Sequence, residues 1–366
     1  MTPAIPPRPG IMDINAYVPG DSKVSGAQNI IKLSSNEGAF GPSPKAMAAM
    51  QDAAKTMHRY PDGSAFELRQ AIAKRFGLDA DRIVCGAGSD ELLSLLTYSY
   101  AGPGDEVLYT EHGFLIYPIA AKAAGATPVK APEMNLRTDV EALLDAVTDK
   151  TRIVFVANPN NPTGTYLSHA ELNMLRAGLP KDILLVIDAA YAEFVGRNDY
   201  TPGIELVDAA QASGQNTVMT RTFSKMFGLG GMRVGWGYFP SEIADVLNRV
   251  RGPFNVSAAA QAAAIASLED LAFQEKCFEH NLTWIAKTEE ALHALGIDTT
   301  ASVGNFVLAR FGETSTAEKA DGFLRERGII VRRVASYDLP DCLRITIGTA
   351  DEMETFLQAM RDFVGG

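Results

Sequence analysis

Lys225 sits between two small hydroxyl residues and a glycine-rich tail that closes on an arginine, in Thr222-Phe223-Ser224-Lys225-Met226-Phe227-Gly228-Leu229-Gly230-Gly231-Met232-Arg233. The preceding Val218-Met219-Thr220 reads as the end of a buried strand. The Thr222 and Ser224 hydroxyls and the planar fork of Arg233 are groups that bind a phosphate, and the glycines allow the backbone to approach a ligand closely. A lysine desolvated beside other cations has a lowered pKa and becomes a nucleophile toward aldehydes. Lysine plus phosphate site points to pyridoxal phosphate, held as a Schiff base. Alone, a Ser-Lys step in a glycine-bearing loop is more often a solvated lysine, so the rest of the chain has to supply the other parts of such a site.

Three further stretches do so. Ile183-Leu184-Leu185-Val186-Ile187 runs into Asp188. A carboxylate that ends so apolar a run is buried and needs a cationic partner; a pyridinium nitrogen is one, although a strand-terminal aspartate that caps a helix is common. Tyr191, three residues on, can reach the phenolic oxygen of the same ring. Gly86-Ala87-Gly88-Ser89-Asp90-Glu91 passes from strand through a glycine turn into a helix that Ser89 or Asp90 could cap. The free amides at Gly88, Ser89 and Asp90, with the helix dipole, form an anion site. A dinucleotide fingerprint is the rival here, but its third glycine is missing. Finally, the apolar run Arg152 to Ala157 meets Asn158-Pro159-Asn160-Asn161-Pro162. Two Asn-Pro steps force a rigid loop at the C-terminal end of a strand, which is where ligands bind in open α/β sheets.

Taken together, these motifs resemble those of the fold-type I pyridoxal phosphate aminotransferases and, within them, the histidinol-phosphate aminotransferase family, from about Ile14 to about Phe363. The resemblance implies that Asn161 donates to the phenolic oxygen of the cofactor. It implies that an aromatic ring at Phe114 stacks on the pyridine, with His112 as a competing alignment and plain core packing as the alternative for the phenylalanine. Asn36 takes the family's place at the mouth of the site. Tyr17 either reaches the substrate or pins the N-terminal arm, and Tyr60 crosses a homodimer interface to the neighbour's cofactor phosphate. Arg344 grips the anionic end of the substrate and Arg332 is the second substrate arginine, with Arg333 its competitor. The implied reaction converts L-histidinol phosphate and 2-oxoglutarate to imidazole-acetol phosphate and L-glutamate, in histidine biosynthesis. Aminotransferases of aromatic amino acids and decarboxylases of phosphorylated amino acids share these motifs. A binding module without turnover would need a broken catalytic set, and a nucleotide binder would leave Lys225 and Asn161 unexplained.

The elements that position these residues alternate strand and helix as far as Tyr238, so the expected class is α/β: a large, mainly parallel-sheet domain followed by a smaller α+β domain. The expected division is an N-terminal arm over 1–30, a large domain over 31–250 and a small domain over 251–366. Period-two alternation marks strands near Phe306–Phe311, Gly328–Val334 and Cys342–Gly348, and in the last it puts Arg344 on the face of Thr346, opposite Leu343 and Ile345. With 366 residues, 46% apolar and 21% charged, the chain can bury a large core. The net charge of −11 argues against nucleic-acid and anionic-membrane partners. Cys85, Cys277 and Cys342 are too scattered for a disulfide framework or a zinc site, and five dispersed histidines suggest no metal. Free thiols fit a reducing cytoplasm. Met1–Gly10 is proline-rich without an apolar segment and does not read as a signal peptide.

Overall fold

Apolar runs bounded by turn residues become seven strands of one sheet in the computed structural model, which describes residues 5–23 and 29–366. These are β1 (Ile83–Gly86), β2 (Glu106–Thr110), β3 (Thr127–Ala131), β4 (Thr151–Ala157), β5 (Leu184–Asp188), β6 (Thr217–Thr222) and β7 (Gly235–Tyr238). Their spatial order is β1-β7-β6-β5-β4-β2-β3. All run parallel except β7, which is antiparallel to both of its neighbours. Alternate residues serve opposite faces: Ile153 and Phe155 of β4 join one apolar cluster, Val154 and Val156 the other. Helices cover both faces, as a parallel sheet requires.

This topology gathers the chemistry at one edge. β4, β5 and β6 are adjacent and parallel, with Ala157 opposite Asp188 and Asp188 opposite Thr220. The loops carrying Asn161, Asp188 and Lys225 therefore leave the sheet side by side. Because β7 runs the other way, it begins where its neighbours end. Gly235 lies opposite both Gly86 and Thr222, which brings Arg233 beside the turn after β1. A Cβ at Gly235 would lie 2.4 Å from the Ser89 amide nitrogen, so only glycine allows this approach.

The C-terminal part forms a second, antiparallel sheet of β8 (Asp298–Thr299), β9 (Phe306–Arg310), β10 (Arg332–Val334) and β11 (Leu339–Thr346), in the order β8-β9-β11-β10. Helices Thr314–Glu326 and Ala350–Gly365 pack on it, and Leu324, Phe356 and Met360 share its core with Val307, Leu343 and Ile345. Helix Ser241–Val250 and the Ser257-capped helix Ala258–Glu269 form as the sequence implies, the cap accepting from the Ala260 amide at 3.2 Å.

Core membership departs from the division expected near residue 250. Val256, Ala260, Ala263, Ala264, Leu268 and Cys277 pack into a core of the large sheet. The change of core falls instead inside the long helix Leu271–Ala294, whose Trp284, Ile285 and Leu292 belong to the second core. At the other end, Ile31 and Lys32 pair with Ile329 and Ile330, and Leu33 lies in the second core. Sequence periodicity reports which residues are buried but not which of two cores receives them. Within the described part of the N-terminal arm, residues 8–13 lie on helix Ile116–Ala124, held by Arg8 Nη2 donating to Ala123 O at 2.6 Å and Lys122 Nζ donating to Asp13 O at 3.0 Å.

Candidate active site

The edge loops of the large sheet and one face of the small sheet enclose a cavity of about 450 Å³. Lys225 is on its wall. Its ammonium nitrogen donates to Ser35 O at 3.3 Å and lies 5.6 Å from the centre of the Tyr191 ring. Burial, reinforced by the nearby Arg344 guanidinium, lowers its pKa to about 8. About a tenth is then the neutral amine at pH 7, far more than for an ordinary lysine, and this is the form that attacks and takes a proton.

Asp188 stands at the end of β5 with 5% of its surface exposed. It accepts from the Tyr117 hydroxyl at 2.9 Å and from Thr220 Oγ1 at 3.3 Å. No basic side chain forms an ion pair with it among the described residues. Burial outweighs the two hydrogen bonds and raises its pKa to about 6. A buried, unpaired carboxylate facing a cavity is stabilised by a cationic ligand atom.

The asparagines of the loop after β4 divide their tasks. Asn158 braces it through reciprocal bonds with the Leu167 backbone, at 3.1 and 2.8 Å. Asn160 donates to Thr163 Oγ1 at 3.0 Å, and Asn161 lines the cavity, where its carbonyl accepts from Arg344 Nη1.

Arg344 is 5% exposed. Its other terminal nitrogen donates to Ser34 O at 2.9 Å, while Nε has no partner. Directly across the strand pair stands Arg332, which also lines the cavity and donates to Val18 O at 2.7 Å. Neither guanidinium is paired with a carboxylate among the described residues. Like charges directly opposite each other in a sheet are destabilising, so an anion between them relieves both. Arg333 points to the other face and pairs with Glu318 at 2.7 Å, which excludes it from the cavity. Thr346 shares Arg344's face, as the alternation implies, and bonds Asn36.

At the opposite end, Thr222, Ser224, Ser89, Asp90 and Arg233 come together. The Ser224 amide donates to Thr222 Oγ1 at 3.1 Å, and Arg233 Nη1 donates to Ser224 Oγ at 3.3 Å. The expected capping by Ser89 or Asp90 is not what forms. Gly88 occupies the N-cap position without a side-chain bond, and Asp90 instead pairs with Arg233 at 2.7 Å. The amides of the first turn remain available. Gly88 has φ +87°, and a Cβ there would lie 2.3 Å from Arg233 Nη2, so glycine makes room for the guanidinium.

Phe114 and Tyr17 also line the cavity, Tyr17 being half exposed at its rim. His112 is drawn away from it by Glu133, at 2.9 Å. One expected position differs. Asn36 is not at the mouth but 1% exposed inside, where it donates to the Tyr191 hydroxyl at 2.8 Å and accepts from Thr346. Tyr60 lies away from the cavity, 82% exposed and stacked on Phe254 at 4.6 Å. The sequence reading assigned no role to Tyr117, which bonds Asp188 from the core behind it, or to Tyr337, which lines the cavity. For Tyr117 a signal existed, since it follows Phe114 at helical spacing within the same aromatic stretch; Tyr337, in a short turn after β10, had none.

A large sheet with one antiparallel strand, a lysine after β6, an acid ending β5 and an asparagine loop after β4 define the fold and site of a class of aminotransferases, and the comparisons agree. The family described as aminotransferase class I and II matches residues 28–360. The chain is 60% identical to a histidinol-phosphate aminotransferase of Paramagnetospirillum magneticum over 98% of both chains. It is 56% identical to that of Rhodospirillum centenum over 98% of this chain and 99% of the relative. The crystal structure of histidinol-phosphate aminotransferase from Sinorhizobium meliloti in complex with pyridoxal 5′-phosphate superposes with a TM-score of 0.89 at 27% identity, covering 98% of this chain and 97% of that one. The chain belongs to the class I and II aminotransferases and, within them, to the histidinol-phosphate aminotransferase family.

Proposed function

We propose that this chain is a pyridoxal phosphate-dependent aminotransferase that takes the amino group of L-histidinol phosphate and delivers it to 2-oxoglutarate, releasing imidazole-acetol phosphate and L-glutamate. The observation that carries the reading is the pair Arg332 and Arg344, facing each other without a carboxylate partner in the cavity that also holds Lys225 and Asp188. A guanidinium fork fits a phosphate and a carboxylate alike, as a ping-pong exchange between these substrates requires.

The buried, unpaired Asp188 and the depressed Lys225 amine fit the cofactor. When bound, pyridoxal phosphate supplies an aldehyde carbon for amines and a ring that accepts electrons released at the substrate Cα. Asp188 keeps the ring nitrogen protonated, and it does so in a dry site where that interaction is strong. Tyr191, oriented by Asn36, and Asn161 hold the phenolic oxygen. Ser89, Asp90, Thr222, Ser224 and Arg233 would hold the phosphate through backbone amides, hydroxyls and the guanidinium, with Gly88, whose own amide donates to Gly86 O at 2.9 Å, shaping the turn. Phe114 would lie against its ring. The neutral Lys225 amine is the group that would take the substrate Cα proton on Nζ and hold it for return. Tyr17, Arg332 and Arg344 orient the substrate.

The enzyme acts as a homodimer in the cytoplasm, with Tyr60 serving the neighbour's phosphate site. Its large exposure beside other exposed apolar groups, Met57 and Phe254, supports this. No helix among the described residues is long and apolar enough to cross a membrane. The test is glutamate formation from 2-oxoglutarate with histidinol phosphate, phenylalanine and tyrosine as rival donors. Histidinol phosphate should be preferred by kcat/KM. Preference for an aromatic amino acid, or release of CO₂, would overturn the donor assignment, and a fully active monomer in sedimentation would remove the role of Tyr60.

A further inference from the structure

Tyr337 closes the short turn Ala335–Tyr337 that follows β10. Only 3% of it is exposed, yet it lines the cavity together with Arg332 and Arg344. Its ring is packed among Leu308, Val334, Leu339 and Cys342, which leaves little freedom to swing away. The next residue, Asp338, is paired with Lys130 on β3, so the turn is tied to the large sheet as well. The hydroxyl has no hydrogen-bond partner among the described residues, and its oxygen, unlike the packed ring, is not sealed off by the protein. A fixed, unpartnered donor beside two unpaired guanidiniums has the placement of a third ligand to an anion.

We propose that Tyr337 is a specificity-determining residue, donating a hydrogen bond to the phosphate of the amino donor and favouring a phosphate monoester over a carboxylate at the arginine pair. This rests on the donor reading above. The chemical reason is the number of acceptors. A carboxylate offers two oxygens, which a guanidinium fork satisfies, whereas a phosphate monoester offers three terminal oxygens and keeps one for a further donor. A phenol adds no charge, so it gives the carboxylate substrate no comparable gain. Burial pushes the phenol's pKa up, and the closest charged or titratable groups acting on it are Arg344, Tyr17, Tyr191 and Arg332. It therefore remains a protonated donor across the working pH range.

The experiment compares wild type and Tyr337→Phe as holoenzymes in both half-reactions. The phenylalanine retains the ring and its packing. Expected is a rise of about tenfold in KM for histidinol phosphate, the scale of one hydrogen bond to a charged group, with kcat and the KM for 2-oxoglutarate within about twofold. Inorganic phosphate as a competitive inhibitor should weaken in parallel, a readout that needs no turnover of the phosphorylated donor. If wild type uses histidinol phosphate but the variant changes both KM values equally, or neither, the role of Tyr337 is wrong and the donor reading stands. If wild type does not use histidinol phosphate, the donor reading fails and takes the phosphate role of Tyr337 with it.

Discussion

The floor of the cavity and its rim are built differently. The floor comes from the ends of adjacent parallel strands: Asp188, Asn161 and Tyr191 are buried, Lys225 is partly so, and the backbone beneath them is locked in strand pairing. The rim is made by the N-terminal arm, the small sheet and the first turn after β1. There Tyr17 is half exposed, and Arg233 and Asp90 form an ion pair in which both side chains are nearly half exposed. A charge on the floor keeps its full electrostatic leverage because water is excluded, whereas a charge on the rim is screened. Chemistry belongs where groups do not reorganise, and ligand exchange belongs where they do.

If this contrast is right, substitutions on the floor should act mainly on turnover and those on the rim mainly on binding. The largest effect is expected for Lys225→Ala, which should lower glutamate formation by at least about 10⁴-fold with the far-ultraviolet circular dichroism unchanged; wild-type rates would remove the lysine from the chemistry. Asp188→Asn should lower turnover by about 10²–10³-fold while making the cofactor-free protein more stable. The folded carboxyl titrates at about 6, above its unfolded value. The wild-type contribution to stability is therefore present below the unfolded value and is lost as pH rises through 6. An amide has no such loss, so thermal melts should favour the variant above pH 6, on the order of 2–3 kcal/mol, with the gap closing toward pH 4. A variant less stable than wild type at pH 8 would contradict the buried, unpaired carboxylate.

On the substrate side, Arg344→Gln should raise KM for both substrates by about 10–100-fold, and Arg332→Gln, less buried, by less. Equal losses in kcat would place these residues on the floor instead. The smallest effect is expected for Tyr117→Phe. Loss of its donated hydrogen bond removes one influence that lowers the Asp188 pKa, so the carboxyl band of the cofactor-free variant in infrared titration should move above about 6, with turnover reduced only a few-fold. An unmoved band would mean that Thr220 alone sets the carboxylate.

Much of the floor was legible in the chain. An aspartate ending a five-residue apolar run, two Asn-Pro steps after another, and a lysine between hydroxyls and glycines are local patterns whose chemistry follows from residue type, and the structure brings them to one cavity. The rim was less legible. Whether Arg332 or Arg333 faces the site depends on strand register, and register is set by the partner β11. Asn36 was expected at the mouth because its contacts, with Thr346 over three hundred positions away and with Tyr191, are invisible in sequence. Asp90 looked like a helix cap until β7 delivered Arg233 beside it.

By itself, then, the amino-acid order determined the alternating strands and helices, the run ends at which the cavity loops emerge, and the lysine and aspartate proposed for the chemistry, because burial and turn preferences act over a few neighbouring residues. Tertiary structure alone decided which core receives helix Ala258–Glu269 and strand Ile31–Lys32, which arginine of two faces the cavity, that Tyr117 bonds Asp188 and that Tyr337 lines the cavity. Those outcomes depend on strand order, the reversed direction of β7 and the seam between the two sheets, and contacts made across such distances leave no periodic mark on the chain.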